Sequence, residues 1–146
     1  MLTRHHGRDQ SLALLLCFMG FVLPVLADPV VVVPRHSPIE SITLEEAANV
    51  FLGKAFFLHD GTKVIPVDQS AASPTRNLFY QRVAGKNPRQ LKAYWAKIIF
   101  SGKGKPPKAV GDADAIKKWL ENHSDAISYI DSEEVDDRVK VVLRVQ

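Results

Sequence analysis

The segment Val30-Val-Val-Val33-Pro34 is an unbroken run of β-branched residues that ends at a proline. β-branched side chains favour extended backbone, and a strand without polar alternation is typical of a sheet that is covered on both faces. The run therefore predicts a buried strand over 30–34.

Downstream of this strand, capping residues and segments of helical periodicity mark four helices. Three signals mark a helix start. A Thr-x-x-Glu pair forms a capping box, proline favours the first turn of a helix, and aspartate favours the N-cap, the residue just before the first turn. The four predicted starts are Thr43 with Glu46, Pro74, Pro88, and Asp112 or Asp114. The apolar residues expected on their inward faces are Leu44, Ala47, Ala48 and Phe51; Leu78, Phe79 and Val83; Leu91, Tyr94, Trp95, Ile98 and Ile99; and Ile116, Trp119 and Leu120.

Short apolar segments between these helices predict the other strands. Residues 56–58 and 64–67 flank His59-Asp-Gly-Thr62, which is typical of a hairpin turn with Gly61 at positive φ. Residues 126–130 and 139–145 predict two late strands, and 103–108 a Pro/Gly/Lys loop. Strands separated by helices indicate an α/β fold with a mostly parallel sheet flanked by helices.

The first 27 residues have the pattern of a secretory signal peptide. Arg4 and Arg8 precede the uncharged stretch 11–27, and Val25-Leu-Ala27 offers a cleavage site. A retained membrane anchor is the alternative, but the stretch is short for a bilayer and Pro24 interrupts it. We therefore expect a signal peptide over 1–27, a single domain over 28–146 and a periplasmic location without membrane insertion after cleavage.

Composition limits which kinds of bond and partner the mature domain can have. Cys17 is the only cysteine, so cleavage would leave no thiol and no disulfide. The net charge of +3 would fall to +2, which favours anionic partners in general but identifies none.

Several ordered segments resemble the substrate-binding proteins of phosphate transporters. The Ser73-Pro-Thr-Arg76 turn, with Phe79 after it, is similar to a Ser-Gly-Thr-Arg…Phe anion-binding turn in that family. The other similar segments are 30–34 with 41–46 and 50–53, then 60–67, and finally 126–130. Together the resemblance covers nearly all of residues 30–143.

The resemblance implies a type II periplasmic binding protein fold, whose two lobes close on phosphate. The chain has less than half the usual length, so we expect a single lobe. Phosphate or a similar oxyanion is the implied ligand. The alternative is an interaction or regulatory module that keeps the lobe, binds no ligand, and pairs with another protein or with itself.

The candidate ligand-binding residues are Ser73, Thr75 and Arg76. Two hydroxyls, a guanidinium and the open N–H groups of a helix start suit an oxyanion. Pro74 stands in place of the family's glycine and lacks an N–H. The simpler alternative is that Ser73 only caps a helix beginning at Pro74 and that Arg76 is solvated.

Other chemistry is not indicated. His36, His59 and His123 lack metal-ligand spacing, so no metal is expected. The acidic segment 131–137 lacks the pattern of a calcium loop and is interpreted as a solvated turn. Lys103, Lys105 and Lys108 lack interleaved aromatics, which argues against nucleic acid. Without a nucleophile elbow, a Walker loop or paired carboxylates, neither an enzyme nor a cofactor is expected.

Overall fold

The computed structural model describes residues 25–146. Most of the predicted signal peptide, residues 1–24, lies outside the described residues. The strands are β1 Pro29–Pro34, β2 Ile65–Gln69, β3 Lys108–Gly111, β4 Ala126–Asp131 and β5 Val139–Arg144. The helices are α1 Leu44–Phe51, α2 Pro74–Ala84, α3 Pro88–Phe100 and α4 Ala113–Asn122, and a short 3-10 turn covers Ser132–Glu134.

The five strands form one sheet in the order β3-β2-β4-β1-β5. β2 is parallel to β3 and β4, whereas β1 is antiparallel to both of its neighbours, β4 and β5. Four strands therefore run in one direction and β1 alone runs against them. This confirms the prediction of a mostly parallel sheet flanked by helices.

The β1 run belongs to two cores because neighbouring side chains in a strand point to opposite faces. Val31 and Val33 pack into a large core with α1, α2 and α3. Val30 and Val32 pack into a smaller core with α4. The sheet is thus covered on both faces, and the prediction of a buried strand is confirmed.

The four predicted helix starts are all present. Thr43 and Glu46 form the capping box of α1, and Asp112, rather than Asp114, caps α4. Pro74 and Pro88 are the first residues of α2 and α3.

The predicted hairpin is smaller than expected, and one strand was not predicted. Gly61 has the expected positive φ of 84°, but residues 56–58 form no strand and make only the isolated Phe57–Lys63 bridge. β3 was overlooked because it has four residues, lies at the sheet edge and begins in the Pro/Gly/Lys loop. It is held by pairing with β2, which its own composition does not reveal.

Two inward positions were predicted wrongly, because Leu44 and Ile99 are exposed. Tyr94 and Trp119 are half-buried, and they pack against the larger and the smaller core respectively. Trp119 stacks on His123 and receives Lys108 over its ring. Within residues 25–146 no helix is long and apolar enough to cross a lipid bilayer.

Candidate functional site

The mouth of α2 lies just beyond the carboxyl end of β2. β2 ends with the buried residues Asp68 and Gln69, and a short turn leads to Ser73, the N-cap of α2. All three candidate residues therefore stand at one helix start, on a turn anchored by a central part of the sheet.

Asp68 is the centre of a buried polar network. It is 2% exposed and accepts four hydrogen bonds. Oδ1 accepts from the Gln69 N–H at 2.9 Å and from the Tyr129 hydroxyl. Oδ2 accepts from the Tyr80 hydroxyl at 2.9 Å and from Arg76 Nε at 3.2 Å. A buried carboxylate is tolerated because donors on β4 and α2 surround it.

The two phenols act as hydrogen-bond donors to this carboxylate. Burial raises the pKa of Tyr80 and of Tyr129 well above the ordinary value of 10.0, and the charge of Asp68 raises them further. Both tyrosines therefore stay protonated at any physiological pH.

Arg76 is held rather than solvated. Its side chain is 15% exposed, it forms an ion pair with Asp68, and its Cζ lies 5.1 Å from the centre of the Tyr80 ring. The alternative interpretation, in which Arg76 is solvated, is wrong, because Asp68 and Tyr80 fix the guanidinium beside the first turn of α2. Within residues 25–146, its terminal nitrogens have no hydrogen-bond acceptor.

Ser73 is the helix cap that the simpler interpretation predicted. Its Oγ accepts from the Arg76 N–H at 3.2 Å and donates to Gln69 Oε1 at 2.6 Å. The Gln69 amide in turn donates to the Tyr129 carbonyl at 3.1 Å. The Ser73 hydroxyl is therefore already satisfied within the protein.

Thr75 provides the open donors of the helix start. Pro74 has no N–H, and the N–H groups of Arg76 and Asn77 bond to Ser73. Among the described residues, neither the N–H nor the hydroxyl of Thr75 has a hydrogen-bond partner. Thr75 and the Arg76 terminal nitrogens are thus the donors left for a ligand.

The sequence interpretation missed Asp68, Gln69, Tyr80 and Tyr129. The available signal was the Asp68-Gln69 pair at the end of an apolar segment, where buried polar residues require partners. Tyr80 and Tyr129 could not be assigned, since their hydroxyls meet Asp68 only after α2 and β4 pack on β2.

None of the protein-family models matches this sequence, and neither does any curated protein. Solved structures do match. A phosphate ABC transporter substrate-binding protein from Clostridium perfringens, solved with bound phosphate, is 19% identical with a TM-score of 0.62, over 79% of this chain and 44% of its own.

The fold is that of part of a phosphate-transporter substrate-binding protein. An ABC-type phosphate transport receptor from Vibrio cholerae is 18% identical with a TM-score of 0.61, over 79% of this chain and 45% of its own. PstS from Borrelia burgdorferi is 11% identical with a TM-score of 0.59, over 82% of this chain and 48% of its own. The chain thus spans less than half the length of these substrate-binding proteins and matches a single lobe.

Polar side chains outside the mouth of α2 form ion pairs. Within residues 25–146, no group of three or more His, Cys, Asp or Glu side chains is placed to hold a metal ion. The acidic segment 131–137 is more than a solvated turn, because Asp136 pairs with the buried Lys117 and with Arg138. These pairs lower the pKa of Asp136 below its ordinary range. The side-chain hydrogen bond from Arg138 is the largest cause, and the bond from Lys117 is the next.

The pair formed by the exposed His59 and the half-buried Glu46 is expected to make stability depend on pH. Burial would raise the pKa of Glu46, but the N–H groups of His59 and Thr43 and the His59 ring lower it from 4.5 to about 2. The hydrogen bond to Glu46 raises the pKa of His59 above 6.5. The Glu46 contribution is therefore complete above pH 4.5 and is lost as the pH falls towards 2. The His59 contribution is complete below pH 6.5 and is lost as the pH rises through its folded-state pKa.

The Tm difference between the wild type and His59→Gln should therefore be largest between pH 4.5 and 6.5 and shrink in alkali. His36→Gln is the control, because His36 is exposed and makes no hydrogen bond within residues 25–146. Equal Tm differences for His59→Gln at acidic and alkaline pH would contradict the linkage.

Proposed function

We propose that the chain is an exported, periplasmic solute-binding domain that binds phosphate or another oxyanion at the mouth of α2. Thr75 and Arg76 are the ligand donors, and Ser73 shapes the turn. The observation that carries the proposal is the Asp68–Arg76 ion pair, which holds a guanidinium beside a helix start. At that start the N–H and hydroxyl of Thr75 have no partner among the described residues. The resemblance to transport binding proteins supports a role without catalysis.

The arrangement supports weak binding. A charge-assisted bond from Arg76 and the field of the α2 start favour an anion. Three features oppose tight binding: the proline in the turn, the satisfied Ser73 hydroxyl and the negative charge of Asp68. We therefore expect a dissociation constant on the order of millimolar for phosphate.

Calorimetric titration with inorganic phosphate at low ionic strength tests this proposal. Thr75→Val keeps the shape and removes one donor, so affinity should fall by about three- to tenfold. Arg76→Gln should abolish measurable binding, and circular dichroism must show that it still folds, because it leaves Asp68 without its cation. Arg144→Gln, an exposed arginine on β5, is the control and should bind like the wild type. No heat at millimolar phosphate, or equal affinity in Thr75→Val and wild type, would reject the proposal.

A second candidate function is an interaction module that binds no ligand. This candidate is favoured because polar groups of the site already bond to each other. The Ser73 hydroxyl donates to Gln69, and the carboxylate of Asp68 offsets the charge of Arg76. Light scattering that finds a homodimer, with no response to phosphate, would support this candidate. A monomer that responds to phosphate would exclude it.

A further inference from the structure

Charge is strongly segregated along the chain. Residues 69–111 contain nine lysines and arginines and no aspartate or glutamate. The other described residues, 25–68 and 112–146, contain eight lysines and arginines against fifteen acidic residues. The segment of α2, α3 and the following loop is therefore a basic unit joined to an acidic remainder.

Five cations of this unit are available to a partner. Arg76 and Arg82 are paired with aspartates, and Lys86 and Lys108 lie over aromatic rings. The others are exposed and have no ion-pair partner within residues 25–146; they are Arg89, Lys92, Lys97, Lys103 and Lys105. All five are on α3 or on the loop after it.

Large apolar side chains stand among these lysines at the end of α3. Phe100 is 96% exposed and Ile99 is 55% exposed. Lys97 precedes Phe100 by three residues and so lies on the same side of the helix. Lys103 and Lys105 follow in the loop. We call these five residues the basic–aromatic tip.

Two further exposed aromatic residues belong to the segment that follows α1. α3 packs on the end of α1, where the Tyr94 hydroxyl bonds to the Leu52 carbonyl and the Trp95 ring lies against Gly53. The chain then continues from Gly53 to the exposed Phe56 and Phe57, which lead into the start of β2. The loop after α3 leads into β3, which is parallel to β2, so both segments meet the same end of the sheet. That end is opposite to the mouth of α2.

We propose that the basic–aromatic tip docks on an anionic phospholipid surface. Phe100 and Ile99 enter the interfacial layer, and the lysines face the lipid phosphates, as in interfacial protein segments that combine aromatic residues with cations. The ring of Phe100 is almost fully exposed, so all of it is available to enter the interfacial layer of a lipid surface. Such docking is peripheral and needs no membrane-spanning helix.

Co-sedimentation with vesicles tests this proposal. The exported protein is used, and its N-terminal residue is read by mass spectrometry so that all variants are compared with the same terminus. Vesicles of phosphatidylcholine with added phosphatidylglycerol should bind the wild type, vesicles of phosphatidylcholine alone should bind much less, and salt should weaken the binding. Phe100→Ala should reduce the partition coefficient about tenfold. Lys105→Glu should reduce it at least about fivefold.

Two matched variants serve as controls, and both should bind like the wild type. Leu44→Ala removes an exposed apolar side chain on α1, and Arg144→Glu makes the same charge change on β5. Equal binding of Phe100→Ala and wild type would overturn the proposal, and so would equal losses in Lys105→Glu and Arg144→Glu. The wild type could also fail to bind phosphatidylglycerol vesicles and yet be retained on immobilised polyglutamate. That result would assign the basic surface to an acidic protein and would overturn the lipid proposal.

Discussion

Replacing Asp68 by asparagine is expected to lower the free energy of unfolding by about 3 to 5 kcal/mol. The substitution keeps the shape of the side chain but removes the charge that faces Arg76. The amide also has one acceptor oxygen where the carboxylate has two, so donors among Arg76, Tyr80 and Tyr129 lose their partner in a buried site. Removing one member of a buried ion pair is costly because the other charge stays desolvated.

Urea denaturation of Asp68→Asn measures this effect. Asp125→Asn is the control, because the Asp125 side chain is exposed and makes no hydrogen bond within residues 25–146. Tyr80→Phe removes a single donor and should lose less than Asp68→Asn. If Asp68→Asn and Asp125→Asn unfold at the same urea concentration, the buried network is not the anchor of the α2 start.

Truncating Phe79 to alanine is expected to destabilise the fold by about 3 to 5 kcal/mol. Phe79 is fully buried in the larger core. Its ring stacks on Tyr129 with centroids 3.9 Å apart and meets Phe51 edge-on at 4.9 Å. Alanine would leave a cavity beneath the helix that carries the candidate site, because the surrounding rings can collapse only in part.

Phe100→Ala is the matched control for this substitution. It removes the same phenyl group from a position that is almost fully exposed, so its effect on thermal unfolding should be small. A comparable loss of stability in the two variants would show that the core is not organised around Phe79. A large loss in Phe79→Ala alone would confirm the packing of α2 on the sheet.

Local patterns predicted the framework of the fold well. The valines before Pro34 define a buried strand by themselves, since no polar residue offers an exposed face. Thr43 with Glu46 and Ser73 with Pro74 define helix starts through bonds within three residues. Such contacts are visible in sequence because both partners are close in the chain.

Contacts between distant segments could not be predicted in the same way. β3 exists because β2 offers it a pairing edge. Ile99 continues an apolar repeat, yet it is exposed. The ion pair of Arg76 with Asp68 was not predicted, because nothing near Arg76 in sequence marks Asp68 as its partner. The residues of the candidate site are therefore a prediction from sequence, and the bonds among them became visible only in the structure.

Amide-resolved NMR during a phosphate titration tests whether an oxyanion binds at the mouth of α2. We predict that the backbone N–H of Thr75 and the terminal guanidinium N–H groups of Arg76 shift progressively and saturate in the millimolar range. The Leu44 and Glu45 amides at the start of α1 should stay still, although within residues 25–146 their N–H groups also have no hydrogen-bond partner. Shifts confined to the lysines after α3, with Thr75 unmoved, would show that phosphate only collects around surface charge and would contradict the account.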